Sequence, residues 1–240
     1  MLARCTLRTP GSTLAIATGS TTPRCAGYSI ELLMPSSTPV VALLADLGKV
    51  FGKLRLRWYV FGAQAAIVHG VGRLTFDVDV TIDLARTPIT DLLAALAKRG
   101  FIPQIPDPRF IEVTRVIPLV HQPSDMPVDL VLAGPGLEDL FFERAVPTKL
   151  GRALVNVASL EDLIVMKILS GRPKDMDDVE TLLAVRRDDV DLKVVRRTLR
   201  LAEELIDQSD LRPAFERLLV RSPRARRVSA SEKSRKKKRG

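Results

Sequence analysis

Two aspartates on one predicted strand are the first candidates for chemistry in this chain of 240 residues. Asp77 and Asp79 lie in the segment Leu74–Leu84, where apolar and polar residues alternate in the pattern of a half-buried strand. Side chains two positions apart on a strand point to the same side, roughly 6.5–7 Å from each other. The two carboxylates repel one another, and a hard divalent cation such as Mg²⁺ relieves that repulsion because it prefers oxygen ligands. An Asp-x-Asp pair alone also fits the solvent-facing side of an edge strand.

A third acid and a glycine turn make metal-dependent phosphate chemistry the favoured interpretation of that pair. The predicted strand Val128–Leu132 is apolar except for Asp129, and a lone carboxylate in such a strand is costly unless it is paired or bound to metal. Upstream, the predicted strand Arg57–Phe61 ends at Gly62-Ala63, where a helix begins. A strand–glycine–helix junction presents free backbone N–H groups to phosphate. Acids on two strands beside such a turn are typical of two-metal nucleotidyl transfer.

Two separated segments resemble motifs of the nucleotidyltransferase superfamily. The first runs from Gly62-Ala63-Gln64-Ala65 through His69-Gly70 to Arg73-Leu74-Thr75-Phe76-Asp77-Val78-Asp79. The second, residues 159–178, is similar to the K-x-x-x-G and K-D-x-x-D motifs of the branch that includes AbiEii-type abortive-infection and toxin–antitoxin toxins. Together the two segments extend the resemblance over roughly residues 40–190, and their order is that of the family.

The resemblance implies a role for each residue that matches the family's motifs. The catalytic acids, which would also hold two Mg²⁺ ions, would be Asp77, Asp79 and Asp129. The nucleotide would be bound by Gly62, Ala63, Arg73, Lys167, Lys174 and Asp175. Many members carry Gly-Ser at the first turn, so at Gly62-Ala63 that phosphate contact would come from backbone amides.

Some of these residues also have a purely structural interpretation. Lys167 fits a solvated position on a helix, and Asp175 fits a first helical turn, where the helix dipole stabilises acids. Of the two histidines, His69 is expected at a helix end, and His121 is expected in a proline-rich loop with no role.

The function implied by the resemblance is Mg²⁺-dependent transfer of a nucleoside monophosphate from an NTP to an acceptor hydroxyl. RNA, with a tRNA end as one case, is the favoured acceptor, and a toxin with a cognate antitoxin is the implied biological setting. Two alternatives stay open at this point. One is a small-molecule acceptor, as in antibiotic-modifying enzymes, and the other is a catalytically silent nucleotide-binding or antitoxin-like protein.

The elements that must position these residues predict an α/β fold. We expect a nucleotidyltransferase-type mixed β-sheet with flanking helices over residues 39–158, followed by a helical C-terminal portion over residues 159–220. The predicted strands lie at 57–61, 74–84, near 109–116, 128–132, 146–150 and 153–157. The predicted helices lie at 40–54, 63–69, 87–99, 137–144, 160–170, 174–186, 191–207 and 211–219.

The net charge of +9 belongs to one end of the chain. Residues 221–240 contain ten Lys or Arg and one Glu, whereas residues 39–220 contain 24 basic and 26 acidic residues. We expect this tail to be disordered. It fits binding to nucleic acid or another polyanion through counterion release, and it fits equally a solubilising end.

The first 38 residues carry no clear period and are expected to be disordered or a mis-assigned start, with Met34 as the favoured first residue. Both cysteines, Cys5 and Cys25, lie in this stretch, so the rest of the chain has no disulfide framework. No apolar run approaches the ~18 residues that a membrane span needs. We therefore expect a soluble, cytoplasmic protein with no membrane partner.

Overall fold

The computed structural model describes residues 38–72 and 75–222, which form one seven-stranded mixed sheet with flanking helices. The strands are β1 (Arg57–Phe61), β2 (Val78–Asp83), β3 (Phe101–Pro103), β4 (Val116–His121), β5 (Met126–Leu132), β6 (Val146–Leu150) and β7 (Ala153–Val157). The helices are α1 (Pro39–Leu54), α2 (Gly62–Val68), α3 (Ile89–Ala97), α4 (Pro108–Thr114), α5 (Leu137–Arg144), α6 (Leu160–Ser170), α7 (Pro173–Arg186), α8 (Leu192–Ile206) and α9 (Leu211–Arg221). The predicted α/β fold class with its helical C-terminal portion is confirmed.

The sheet has the strand order β3-β4-β5-β2-β1-β7-β6. β2 is antiparallel to β1 and parallel to β5, and β1 is parallel to β7. The other neighbours, including β6 and β7, are antiparallel. This order places β2, which contains Asp79, in the middle of the sheet.

Different helices cover the two faces of the central strands. Trp58 of β1 packs against Phe51 of α1, with the ring centroids 5.3 Å apart. The next residue, Tyr59, contacts Phe142 of α5 at 5.0 Å. Tyr59 pairs with Thr81, and alternate strand residues point to opposite faces, so Asp79 lies on the same face as Tyr59. Asp79 therefore lies on the face that α5 covers, opposite α1.

The period-two pattern of β2 is explained by this layering. Val78, Val80 and Ile82 are fully buried in the core. Thr81, on the other face, is also buried, because helices cover that face as well. The strand begins at Val78, later than the predicted start at residue 74.

One predicted strand is wrong. The sequence predicts a strand near Arg109–Val116, but Pro108–Thr114 form α4. Asp107 caps this helix by accepting a 2.9 Å hydrogen bond from the backbone N–H of Arg109. Pro108 occupies the first turn, where its missing N–H leaves no hydrogen bond unmade. The strand of this region, β4, begins only after the helix has ended.

The placement of His121 is also corrected. It is not in a loop but is the last residue of β4, fully buried, with its ring 4.5 Å from that of Phe101. Phe101 begins β3, a three-residue edge strand that the sequence pattern does not predict. His69, by contrast, is the C-cap of α2 as expected.

The C-terminal helices follow the predicted bounds closely. Ser159 caps α6 by accepting a 3.1 Å hydrogen bond from the backbone N–H of Asp162. None of the helices in the described ranges combines the length and the apolar character needed to cross a membrane. The predicted disordered ends, 1–38 and 221–240, lie outside the described residues except for 38, 221 and 222.

Candidate active site

Strand pairing brings two of the predicted catalytic acids side by side. β2 and β5 run parallel, and their register pairs Asp79 with Asp129. On the other side of β2, Phe61 at the end of β1 pairs with Asp79. Because register partners point to the same face of a sheet, the carboxylates of Asp79 and Asp129 share the Tyr59 face.

The turn between β1 and α2 closes tightly on Asp79. Gly62 has a φ of +64°, and a Cβ at this position would lie 1.8 Å from Asp79 Oδ2. Glycine is required on both counts, since another residue would be strained and would collide with the carboxylate. The backbone N–H of Ala63 donates a hydrogen bond to Asp79. Gly62 therefore allows the turn to lie against the Asp79 carboxylate, and the phosphate contact expected at this turn stays a prediction.

An excess of negative charge distinguishes this part of the sheet. Burial and the charges of Asp77 and Asp129 raise the pKa of Asp79 to about 6, although the Ala63 N–H and Arg172 act in the opposite direction. Burial and the charge of Asp77 also raise the pKa of Asp129. Carboxylates shift one another's pKa in this way when they lie in each other's field. Asp77, Asp79 and Asp129 thus form one repelling group, here called the acid corner.

Asp77 is held at the entrance of β2 by neighbouring side chains. Its carboxylate accepts a hydrogen bond from Thr75 Oγ1, and its backbone carbonyl accepts one from the Gln64 side-chain amide at 3.4 Å. Gln64 is buried, and its Oε1 has no hydrogen-bond partner among the described residues. Gln64 therefore positions the Asp77 segment. The sequence signal for this role is a single amide side chain in the otherwise apolar α2.

The donor set of the acid corner fits a hard divalent cation, because carboxylate oxygens are its preferred ligands and a cation removes their repulsion. No group of three His, Cys, Asp or Glu side chains has the spacing of a metal site within residues 38–72 and 75–222. Even so, the charges of Asp77 and Asp129 act on Asp79, and the charge of Asp77 acts on Asp129. Coulombic coupling acts over longer distances than ligation, so the acids share one electrostatic field although they do not have the spacing of a metal site in this structure.

The second predicted motif forms a buried group of charges between α6 and α7. Lys167 Nζ lies 2.9 Å from Asp175 Oδ1 and 2.6 Å from Asp178 Oδ2. Lys167 is 4% exposed, so the interpretation as a solvated helix residue is wrong. Lys167, Asp175 and Asp178 are here called the ion cluster.

Asp175 is the centre of this arrangement. It also accepts hydrogen bonds from Ser170 Oγ at 2.7 Å and from Arg172 Nε at 2.6 Å. Burial opposes its ionisation, but the hydrogen bonds from Ser170, Lys167 and Arg172 bring the pKa of Asp175 down to about 2. A carboxylate that accepts several charged and neutral donors stays ionised even when buried.

Arg172 connects the ion cluster to the acid corner. It is the N-cap residue of α7, it donates to Asp175, and its charge lowers the pKa of Asp79. Sequence reasoning did not single it out, because an arginine before a helix-starting proline carries no local signal of function. Of the remaining predicted nucleotide-binding residues, Lys174 is exposed in the first turn of α7, and Arg73 lies outside the described residues.

Sequence comparison places the chain in a described family. A family model with the description "Nucleotidyltransferase of unknown function (DUF6036)" matches residues 40–219. No curated protein matches the chain.

Several solved structures are similar to the chain. An antigenic nucleotidyltransferase-like protein from Paracoccidioides brasiliensis is 18% identical, and the match covers 77% of this chain and 93% of that chain with a TM-score of 0.44. ANT(2")-Ia in complex with adenylyl-2"-tobramycin is 17% identical, with 78% and 100% covered and a TM-score of 0.43. JHP933 from Helicobacter pylori is 14% identical, with 77% and 87% covered and a TM-score of 0.41. At these sequence identities and TM-scores, the substrate of a similar structure is not assigned to this chain.

Proposed function

Because the chain belongs to the family described as nucleotidyltransferase of unknown function (DUF6036), we propose that it transfers a nucleoside monophosphate from an NTP to an acceptor hydroxyl at the acid corner. The predicted superfamily is thereby confirmed, whereas its AbiEii-type branch stays a prediction. The observation that carries the proposal is the register pairing of Asp79 with Asp129, two acids whose pKa values are both raised. The acid corner therefore has more negative charge than the neighbouring cationic groups neutralise.

In the proposed reaction, the acceptor oxygen bonds to the α-phosphorus while the bond to the bridging oxygen breaks and pyrophosphate leaves. Asp129 accepts the proton of the acceptor hydroxyl, and its raised pKa supports this role because it makes the carboxylate a stronger base. Asp77, Asp79 and Asp129 would hold Mg²⁺, and the resemblance implies two ions. Bound there, Mg²⁺ supplies charge neutralisation for the triphosphate and the leaving group.

The nucleotide would lie between the acid corner and the start of α7. Lys174 offers an exposed ammonium for a direct phosphate contact. Lys167 and Asp175 are buried and would support this side of the nucleotide site from the protein interior. The phosphate contacts of Gly62-Ala63 and of Arg73 stay predictions. At the Gly62-Ala63 turn, the Ala63 N–H already donates to Asp79.

RNA is the acceptor that we favour. The basic residues concentrated in 221–240 suit a phosphate backbone. Phe76, next to Asp77, is 79% exposed, and exposed aromatic rings beside a nucleic-acid site stack on bases. A toxin role and a cognate antitoxin follow from the AbiEii-type resemblance and belong to the same proposal. The cytoplasmic location predicted from the sequence also belongs to it.

The test is transfer of α-labelled NTPs, each in turn, into total cellular RNA in the presence of Mg²⁺. The blank is the double variant Asp77→Ala/Asp79→Ala. The matched control is Asp83→Ala, which removes a carboxylate on the same face of β2. In the wild type this carboxylate lies 2.7 Å from the guanidinium of Arg57. We expect a labelled RNA band with the wild type and with the control, and none with the blank.

Other outcomes separate the alternatives. Label in the blank would contradict the proposed site. Label in no RNA, but in a small-molecule pool, would support the antibiotic-type acceptor, and binding of Mg-NTP without any transfer would support a catalytically silent protein. Deletion of residues 221–240 should weaken RNA binding if the tail serves the acceptor.

A further inference from the structure

A groove between α1 and α3 concentrates positive charge. α1 covers the sheet face opposite Asp79, α3 contacts α1, and the groove between the two helices has a volume of about 560 Å³. Among the described residues that line it, one is acidic, Asp91, and four are cationic and exposed: Lys49, Lys53, Lys98 and Arg99. Residues 39–220 as a whole contain slightly more acidic than basic residues. This groove, here called the basic groove, therefore differs in charge from the rest of the folded body.

Asp46 of α1 positions two of these cations. One oxygen, Asp46 Oδ1, accepts a hydrogen bond from Lys49 Nζ at 2.9 Å and another from Arg99 Nη1 at 3.2 Å. The other oxygen, Oδ2, lies 3.6 Å from Nε2 of the buried His121. The side chain of Asp46 is 22% exposed, whereas those of Lys49 and Arg99 are 56% and 45% exposed. Asp46 thus brings one cation from each side of the groove to the same point, and both cations keep donor hydrogens for a ligand.

The other two cations, Lys53 and Lys98, have no carboxylate partner among residues 38–72 and 75–222. Lys53 lies in the last turn of α1, and Lys98 is the C-cap residue of α3. The negative end of a helix dipole stabilises a cation at either position, which accounts for each lysine separately. It does not account for their meeting in one groove with the two cations that Asp46 positions.

Small side chains keep the basic groove open. Ala94 and Ala95 of α3 line it, and Ala94 is exposed. A methyl group projects little from a helix, so a sugar-phosphate backbone can approach the neighbouring cations. A concave surface between two helices fits a strand of phosphates, whereas a flat lipid bilayer would contact only its rim.

We infer that the basic groove binds the phosphate backbone of the RNA acceptor, several nucleotides away from the hydroxyl that reacts at the acid corner. The inference rests on the proposed function and names the class of acceptor, a long or folded RNA. The basic groove and Asp79 lie on opposite sides of the sheet, so a small molecule bound at one does not reach the other. A long RNA reaches both. Phosphates that bind Lys or Arg release their condensed counterions, so this contact adds affinity independently of base sequence.

Fluorescence anisotropy with labelled total tRNA, measured on the full chain between roughly 50 and 200 mM salt, tests the contact. The variant Lys53→Gln/Lys98→Gln removes two cations of the basic groove and leaves both hydrogen bonds to Asp46 intact. We expect about tenfold weaker binding, and a slope of log affinity against log salt that is smaller by about 2, because each lost phosphate contact lowers the slope by about 1.

The matched control is Arg109→Gln/Arg217→Gln, which removes the same charge from exposed positions on α4 and α9. It should bind tRNA nearly as tightly as the wild type. Equal losses in the two variants would mean that net charge alone acts, and would overturn the inference. Circular dichroism of each variant verifies that the fold is retained.

Transfer kinetics distinguish this contact from the reacting site. With tRNA as the acceptor, Lys53→Gln/Lys98→Gln should raise KM about tenfold and leave kcat unchanged, because the basic groove lies away from the reacting atoms. With a trinucleotide acceptor, the wild type and the variant should have the same kcat/KM. A variant that lowers kcat on both acceptors would overturn the inference.

The remaining outcomes have different meanings. A wild type that transfers nucleotide to tRNA, with the groove variant equal to the control, would overturn the inference and leave the proposed function standing. A wild type that transfers no nucleotide to any acceptor would overturn the proposed function itself. Binding to vesicles of phosphatidylserine and phosphatidylcholine that is lost in the groove variant, while tRNA binding is unchanged, would overturn RNA as the partner and assign the groove to a membrane surface.

Discussion

The acid corner and the ion cluster both place carboxylates in partly or fully buried positions, but only the ion cluster contains its own cation. Asp175 accepts the Lys167 ammonium, and its pKa falls to about 2. Asp79 faces two further carboxylates, and its pKa rises to about 6. This fold therefore neutralises the charges that support the structure and leaves unbalanced the charges that we assign to a ligand. Each prediction below changes one side of this contrast.

The largest effect is expected from removing the cation of the ion cluster. Lys167→Met should lower the free energy of unfolding by about 3–5 kcal/mol, because it removes the buried ammonium that Asp175 and Asp178 share. Urea unfolding followed by circular dichroism measures this change. Lys174→Met, an exposed lysine on the next helix, should change stability by no more than about 0.5 kcal/mol. Similar values for the two variants would mean that the ion cluster does not hold α6 and α7 together.

At the acid corner, we expect a substitution to have the opposite effect on the free energy of unfolding. Asp79→Asn should lower the rate of nucleotidyl transfer by about 10²–10³-fold, because an acid that holds the metal is lost. Its free energy of unfolding should stay equal or rise, since the substitution removes repulsion.

The control for this pair of measurements is Asp83→Asn on the same strand and face. Asp83 accepts hydrogen bonds from the Ala85 N–H and from Arg57, and these lower its pKa. The variant should keep its transfer activity and lose stability. A destabilised Asp79→Asn protein would contradict the assignment of unbalanced charge to the acid corner.

Mg²⁺ should stabilise the folded protein through the acid corner. At a hundred times its dissociation constant, a ligand specific for the folded state adds about 2.7 kcal/mol. Thermal unfolding with Mg²⁺ and with EDTA measures the shift in Tm. The shift should vanish in Asp77→Ala/Asp79→Ala, and a shift that persists there would place the cation elsewhere.

The smallest effect is expected from acidification. Because the folded-state pKa of Asp175 lies near 2, below the ordinary value of 3.8, its contribution to stability is complete above about pH 4. That contribution is lost as the pH falls from about 4 towards 2. Urea unfolding over this range should show a shallower pH dependence for Asp175→Asn than for the wild type. An unchanged slope would mean that Asp175 does not couple folding to proton binding.

Short-range patterns in the chain were sufficient for most of the secondary structure. The alternation in β2, the Ser159 cap of α6 and the β6–β7 hairpin depend on residues only a few positions apart, so their signals are local. The error at α4 has a related cause. A short apolar run fits a strand or a helix equally, and the capping by Asp107 together with Pro108 selects the helix. The edge strand β3 depends on pairing with β4, which no local pattern contains.

For the candidate site as well, some features follow from the local sequence and others depend on tertiary structure. The residue types and spacing of the acid motif, and its resemblance to nucleotidyltransferases, were available from the amino-acid sequence. The pairing of Asp79 with Asp129, the burial of Lys167 and the anchoring of Arg172 were not, because they join strands and helices that are distant in the chain. Whether a charged side chain is neutralised, and thus structural, or left unbalanced depends on what packs around it. The order of residues therefore specified which charges are present, and the packing of α6 and α7 and the register of β2 and β5 specified which of them are paired.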